Sequence, residues 1–96
     1  MTEMQRSTML TMLKTDLGIT ATAYNGRLDN YLESAATQIA REGITLDFAS
    51  IDDMQLAVMY AAWMWRKRDG VDSGMPRMLR YLLNNRLFAE KVSGHG

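Results

Sequence analysis

Apolar residues recur along the chain at helical spacing, in four stretches that glycines and short polar segments separate. In the first stretch, Leu10, Leu13 and Leu17 follow the i, i+3, i+7 spacing of one helix face. This spacing predicts a helix from about Glu3 to Asp16. Gly18 follows at the place where a left-handed residue commonly ends a helix.

The second stretch predicts a helix from about Ala23 to Glu42, after which a glycine provides a stop signal. Asn25-Gly26 is typical of a hairpin turn, but no alternating strand pattern flanks it, so we place this pair in the first helical turn. Tyr24 and Tyr31 are seven residues apart and share one side of this helix. The expected buried stripe is Leu28, Leu32, Ala35, Ala36 and Ile39.

The segment between the second and third helices is predicted to be a loop, because its alternating pattern is too short to build a sheet. Three apolar side chains of this loop are expected to cover the core: Ile44, Leu46 and Phe48. Ser50 then begins the third helix, and Ser50-Ile51-Asp52-Asp53 resembles a capping box with Asp in place of the usual Glu. This helix is expected to continue to about Asp69.

The fourth helix is predicted to start at Met75-Pro76, because proline suits the first turn of a helix. Its expected buried stripe is Leu79, Leu83 and Leu87, with Leu82 and Met78 alongside. A flexible tail is expected from about residue 92. The chain is therefore predicted to be one all-α domain over residues 1–96, with four helices and a central, aromatic-rich third helix.

The third helix has almost no polar side. From Met54 to Trp65 only Gln55 is polar, whereas a surface helix of a monomer normally shows a polar face. Trp63 and Trp65 are two residues apart, or about 200° around a helix, so they point to nearly opposite sides. Two interpretations stay open: the other three helices wrap this helix, or another protein chain covers one of its faces.

Under the second interpretation, one of the two tryptophans lies at a subunit contact, because aromatic residues are enriched at protein interfaces. Their spacing does not decide which one. Arg77 and Arg80 belong to a polar stripe of the fourth helix that faces either solvent or an assembly partner. The candidate interface residues are Trp63, Trp65, Met59, Tyr60, Arg77 and Arg80.

The net charge of the chain bears on whether it binds nucleic acid. Eleven Lys and Arg residues balance 11 Asp and Glu residues, so the formal net charge is zero. This argues against free-standing, charge-driven binding of nucleic acid. Arg66-Lys67-Arg68 end the third helix, where cations complement the negative end of the helix dipole. The alternative is that they contact DNA phosphates or an acidic partner.

Residue types that carry catalysis or bind metals are scarce. The chain has no cysteine, and its single histidine, His95, lies in the tail without a placed partner, which excludes a His-dependent triad or a multi-His metal site. Asp47, Asp52 and Asp53 lack the spacing of a calcium loop and are better explained by helix capping. No apolar run approaches the ~20 residues of a membrane span. We therefore expect no enzyme activity, catalytic residue, cofactor or metal.

Most of the chain, from about Met9 to Lys91, resembles the small head-tail connector proteins of tailed bacteriophages, also called head-completion or adaptor proteins. The segments that carry this resemblance are Leu13–Ile19, Leu28–Ala35, Arg41–Ile44, Val58–Arg68, Gly74–Arg80 and Leu83–Leu87. The most suggestive of them is the aromatic-rich segment that ends in three cations. Connector proteins of this kind have a small α-helical unit with a long, aromatic-rich third helix.

The resemblance implies a structural virion protein that assembles as a homo-oligomeric ring, a dodecamer, beneath the portal protein after DNA packaging. Such a ring extends the DNA exit channel, lets double-stranded DNA pass without sequence specificity, and presents a surface to the next neck or tail-completion protein. It implies assembly in the host cytoplasm, a place at the head-tail junction of the virion, and no membrane partner. A ring of identical subunits needs two different faces on each subunit.

Two other functions stay open. The first is a small helical DNA-binding module, in which Arg66, Lys67, Arg68, Arg77 and Arg80 would contact phosphates. The long second and third helices and their long connection do not match a helix-turn-helix, which counts against it. The second is an enzyme restricted to carboxylate chemistry, for which no pair of acids has a persuasive spacing.

Overall fold

The computed structural model describes residues 1–68 and 74–93. Over these ranges the protein is all-α, with four helices and no strand. The helices are α1 (Glu3–Leu17), α2 (Asn25–Arg41), α3 (Ile51–Lys67) and α4 (Arg77–Ser93), and a one-turn 3-10 helix over Thr22–Tyr24 precedes α2. The prediction of a small all-α domain with four helices is confirmed.

Local hydrogen bonds set the two ends of α1. Thr2 Oγ1 accepts the backbone N–H of Gln5 at 3.1 Å, and Gln5 Oε1 accepts the backbone N–H of Thr2 at 2.9 Å, which together make a capping box. At the other end, Gly18 has a φ of 71°. This is the left-handed residue that the sequence predicts at the end of the helix.

The start of α3 follows only half of the predicted capping box. The Ser50 hydroxyl accepts the backbone N–H of Asp53 at 3.4 Å, as predicted. The second hydrogen bond of a capping box would join the Asp53 carboxylate to the backbone N–H of Ser50. Instead, the Asp53 carboxylate accepts the backbone N–H of Asp47 at 2.8 Å, and the Ser50 N–H donates to the Asp47 carbonyl at 2.9 Å. Asp53 therefore ties the preceding loop to the first turn of α3.

Helix α3 is the centre of the fold. It packs against α1, α2 and α4, and its buried side chains point in several directions around the helix axis. The buried apolar residues of α3 are Leu56, Ala57, Val58, Tyr60, Ala61, Ala62 and Trp65. The other helices therefore wrap most of α3, as the first interpretation predicts, while Met54, Met59, Trp63 and Met64 are only half-buried.

The other three helices each bury one stripe against α3. The largest fully buried side chains are Met9, Leu13, Leu28, Leu32, Ile39, Ile44, Leu79 and Leu83. The predicted stripe of α2 is confirmed, with Ala36 half-buried at its edge. On α4 the prediction is wrong for Met78, which is 61% exposed. Met78 lies about 100° around the helix from Leu79, which is enough to move it out of the contact with α3.

The loop between α2 and α3 covers the core as predicted, with Ile44 buried and Leu46 and Phe48 half-buried. Gly43 starts this loop with a φ of 101°, a conformation that favours glycine. A Cβ at this position would lie 3.3 Å from Cδ1 of Leu87, so the loop also passes close to α4.

Two sequence predictions lie outside the described residues. The expected end of the third helix at about Asp69 falls in residues 69–73, and α3 is described as far as Lys67 with Arg68 as its cap. The C-terminal tail is described only as far as Ser93, where α4 ends. His95 and the flexibility of residues 94–96 therefore stay predictions.

Candidate interaction surface

Trp65 is a core residue. It is 6% exposed, and the rings of Tyr24 and Tyr31 meet it edge-on, with centroids 5.8 Å and 5.5 Å away. The Arg68 guanidinium lies 3.8 Å from the ring centroid, and it also donates to the Trp65 carbonyl at 3.1 Å. Contacts within one chain thus account for the burial of Trp65, with Tyr31 on α2 and Tyr24 in the 3-10 helix before it.

Trp63 and Tyr60 form a second aromatic pair on another side of α3. Their rings are nearly perpendicular with centroids 5.4 Å apart, and Tyr60 is buried while Trp63 is half-buried. Lys67 Nζ lies 4.9 Å from the Trp63 ring centroid, in a cation–π contact. A hollow of about 470 Å³ between α2 and α3 is lined by this pair. Trp63 therefore reaches solvent more than Trp65 does.

Arg80 is held by the end of α2 rather than projecting freely. Its two terminal nitrogens donate to the two carboxylate oxygens of Glu42 at 2.8 Å and 3.3 Å. The hydrogen bond to Glu42 raises the pKa of Arg80. Tyr60 lies in the same neighbourhood: burial raises the pKa of Tyr60, Glu42 acts in the same direction and Arg80 opposes it. Arg80 therefore joins α4 to the end of α2.

The remaining two candidate interface residues differ in exposure. Met59 is half-buried and lines the space between α3 and α4. Arg77 is exposed at the start of α4 and forms no ion pair with any residue in the described ranges. Of the six candidate interface residues, Arg77 is thus the one whose side chain is most available to a partner.

The three cations at the end of α3 all have contacts inside the chain. Arg66 donates to the Asp16 carboxylate at 3.4 Å, which joins the ends of α1 and α3. Lys67 and Arg68 lie against Trp63 and Trp65, as described above. All three are exposed at the surface, yet none projects as an isolated cation.

Arg86 is a structural residue that no pattern in the sequence singles out. It donates from Nε to one oxygen of Asp53 at 3.1 Å and from a terminal nitrogen to the other at 3.3 Å. The same terminal nitrogen donates to the Thr45 carbonyl at 2.7 Å, and the other terminal nitrogen donates to Glu90 at 2.8 Å. Hydrogen bonds to Asp53 and Glu90 raise the pKa of Arg86, while those from Thr45 and Arg86 lower the pKa of Glu90.

The largest apolar surface on α4 points away from the core. We call it the α4 ridge, and it consists of Met78, Tyr81, Phe88 and Val92, which are 61%, 62%, 71% and 58% exposed. These residues lie on the side of the helix opposite Leu79 and Leu83. Scattered exposed apolar residues are ordinary, but four on one helix face form a patch of the kind that marks interaction sites.

A concave surface lies beside the ridge. We call it the α3–α4 groove, a space of about 440 Å³ whose apolar lining is Leu56, Met59, Leu82 and Ala89. Its polar lining consists of Asp52, Gln55, Asn85 and the Asp53–Arg86 pair. The ridge and the groove lie side by side along α4. The groove residues Leu82 and Ala89 directly follow the ridge residues Tyr81 and Phe88 in the sequence.

The sequence contains a signal for the ridge that the leucine stripe of α4 obscures. Residues 78, 81, 85, 88 and 92 alternate spacings of three and four, which is the heptad pattern of a helix-packing seam, with Asn85 at its centre. A second apolar stripe opposite the leucine stripe is the feature that indicates an exposed seam.

Comparison with protein-family models, curated proteins and solved structures gives no match. Among the residues that the structure describes, no helix is long and apolar enough to cross a membrane. The same residues contain no group of three or more His, Cys, Asp or Glu side chains arranged to hold a metal ion. Of the surfaces described above, the α4 ridge has the most exposed apolar side chains on one helix face.

Proposed function

We propose that this protein is a structural neck protein of a tailed bacteriophage, which forms a ring below the portal, extends the DNA channel and joins the head to the tail. In this proposal the protein has no catalytic role. Its partners are other copies of the chain, arranged as a dodecamer, the portal protein and the next neck or tail-completion protein. Double-stranded DNA passes through the ring without sequence-specific contacts, and the protein resides at the head-tail junction of the virion.

The observation that supports this proposal most strongly is the α4 ridge. A monomer leaves two exposed aromatic rings and two exposed aliphatic side chains of one helix face in water. Burial of such a face against another protein is favourable because it removes apolar surface from water. The ridge supports an assembly role in general, and the resemblance in segments such as Val58–Arg68 supports the phage neck in particular.

The alternative of a DNA-binding module has less support. Arg66, Lys67 and Arg68 make contacts within the chain, and Arg80 is paired with Glu42. Contacts of this kind compete with contacts to phosphate, and the net charge of the chain is zero. Tight duplex binding by a monomer, with an affinity that falls steeply as salt rises, would favour this alternative.

The experiment that tests the proposed function measures particle mass by light scattering behind a sizing column, alone and after mixing with a purified portal ring. A closed species near twelve times 10.9 kDa, with a central hole in electron micrographs, is the expected result. A chain that stays monomeric and also leaves portal rings bare would contradict the proposal.

A further inference from the structure

The α4 ridge has the shape of an element that inserts between helices. Its apolar residues follow the three-four spacing of a coiled-coil seam, so they line up along the helix rather than spreading around it. Tyr81 and Phe88, one heptad apart, are its two aromatic anchors. Residues of this type dominate the binding energy of protein interfaces when a concave partner surface surrounds them.

The same chain offers a concave apolar surface of suitable character. The α3–α4 groove has a buried floor at Leu56 and half-buried sides at Met59 and Leu82, and the small side chain of Ala89 leaves it open. Its volume is about 440 Å³. One subunit therefore has both a convex and a concave apolar face, which are the two different faces that a heterologous contact needs.

The charges beside the ridge are positive. Arg77 and Lys91 lie on one flank of the α4 ridge, 14 residues apart and therefore near its two ends. Both are exposed, and neither forms an ion pair with a residue in the described ranges. A partner surface with carboxylates would therefore be favoured over a neutral or basic one.

The charges around the groove are negative on balance. Arg86 is already paired with Asp53 and Glu90, so its positive charge is more than neutralised. Asp52 is exposed in the first turn of α3, lines the groove, and forms no ion pair with a described residue. The groove is therefore complementary to the ridge in charge as well as in shape.

The charges also decide between two ways of pairing copies of the chain. Two ridges in contact with each other would bring the cations Arg77 and Lys91 of both copies together, whereas a ridge inside a groove brings these cations near Asp52.

We infer that the α4 ridge of one copy docks in the α3–α4 groove of the next copy, with Arg77 or Lys91 near Asp52 of the neighbouring copy. This inference rests on the proposed function, because it assigns the subunit contact of the proposed ring. The contact is heterologous, so each subunit uses its ridge toward one neighbour and its groove toward the other. Repetition of such a contact produces a ring when the rotation closes.

The test compares variants at surface positions, which leave the core intact. Tyr81→Ser together with Phe88→Ser removes the ridge at similar helix propensity. Ala89→Arg fills the groove and adds a positive charge, which repels the cations beside the ridge. Gln55→Arg does the same from the α3 side of the groove. Met4→Ser is the matched control, because Met4 is 79% exposed and lies on α1, away from both surfaces. Circular dichroism verifies that each variant is folded.

Light scattering at equal protein concentrations then measures the mass of the particles that the wild type and each variant form. We expect the wild type and Met4→Ser to assemble alike, and the ridge and groove variants to be monomeric. The ridge variant keeps an intact groove, and the Ala89→Arg variant keeps an intact ridge. In a mixture of the two, one contact can therefore form between a copy of each variant. We therefore expect the mixture to have a mean mass up to twice that of either variant alone.

Each opposite result overturns the inference in a distinguishable way. If the ridge variant assembles like the wild type, the subunit contact lies elsewhere while the ring itself stands. If the mixture stays as small as its two components, the ridge does not dock in the groove. If the wild type is monomeric at every concentration, the ridge has no second copy as its partner, and binding to portal rings then decides whether the connector function survives.

Discussion

Helices α3 and α4 place their apolar residues in opposite ways. Helix α3 is apolar on almost every side and is buried by its three neighbours, including Trp65 at 6% exposure. Helix α4 has two apolar sides, of which one contacts α3 and the other, with Phe88 at 71% exposure, faces water. The most apolar helix is therefore the core of the domain, and the candidate interface lies on a helix of more ordinary composition.

The largest expected effect is a loss of stability when the core around α3 is disrupted. Trp65→Ala removes a ring that Tyr24, Tyr31 and Arg68 surround, and a cavity in the core costs about 3–5 kcal/mol of unfolding free energy. Phe88→Ala is the matched change on α4, and we expect it to alter the unfolding free energy by less than about 0.5 kcal/mol. Urea unfolding followed by circular dichroism measures both, and equal losses for the two variants would remove the distinction between the helices.

The second prediction concerns the junction between the two helices. Arg86→Met leaves the buried Asp53 carboxylate without its cation, so we expect the unfolding free energy to fall by about 3 kcal/mol. Adding Asp53→Asn to this variant removes the unpaired charge, and part of the loss should return. A double variant that is less stable than the single one in the same urea titration would show that charge pairing is not the reason.

The third prediction tests the close approach of the loop to the inner side of α4. Gly43→Ala places a methyl group 3.3 Å from Leu87 at a φ of 101°, and we expect a loss of about 2 kcal/mol. Gly26→Ala is its control, because Gly26 lies in α2, has no positive φ, and would have no neighbouring atom within 4 Å of an added methyl group. We expect Gly26→Ala to raise the free energy of unfolding by up to about 1 kcal/mol, and thermal unfolding measures both variants. Similar shifts for both glycines would contradict the structural reason.

The smallest expected effect concerns pH. Burial raises the pKa of Tyr60 above its ordinary value of 10.0, so the folded state holds this proton more tightly than the unfolded state. The resulting stability is present below pH 10 and is lost as pH rises through the folded pKa. We expect stability to decline less above pH 10 in Tyr60→Phe than in the wild type, as measured by urea unfolding at several pH values. Parallel declines would exclude this role of Tyr60.

Periodicity predicts the helices well because it reports regular spacing along the chain. The end of α1 at Gly18, the start of α3 at Ser50 and the buried stripe of α2 are confirmed, and on α4 Leu79 and Leu83 are buried while Leu82 and Leu87 are half-buried. Periodicity does not report which of two apolar sides faces the core. On α4 that choice depends on the position of α3, and for this reason the prediction for Met78 is wrong.

Contacts between residues far apart in sequence had no local signal. Arg86 reaches Asp53 across 33 positions and Thr45 across 41, and a lone Arg beside a leucine stripe gives no indication of either partner. The half-formed capping box at Ser50 has the same origin. Asp53 is engaged by Asp47 and Arg86, so its side chain is not available to the Ser50 backbone.

The hydrogen bonds of Arg86 also bear on how fast the proposed ring would assemble. One side chain of α4 holds both the first turn of α3 and the loop before it, so the walls of the α3–α4 groove are fixed relative to each other in the free subunit. A partner that enters such a groove orders few additional residues, and the entropic cost of association is correspondingly small. Subunit joining would then be limited by encounter and orientation, with no slow rearrangement of the subunit before each contact forms.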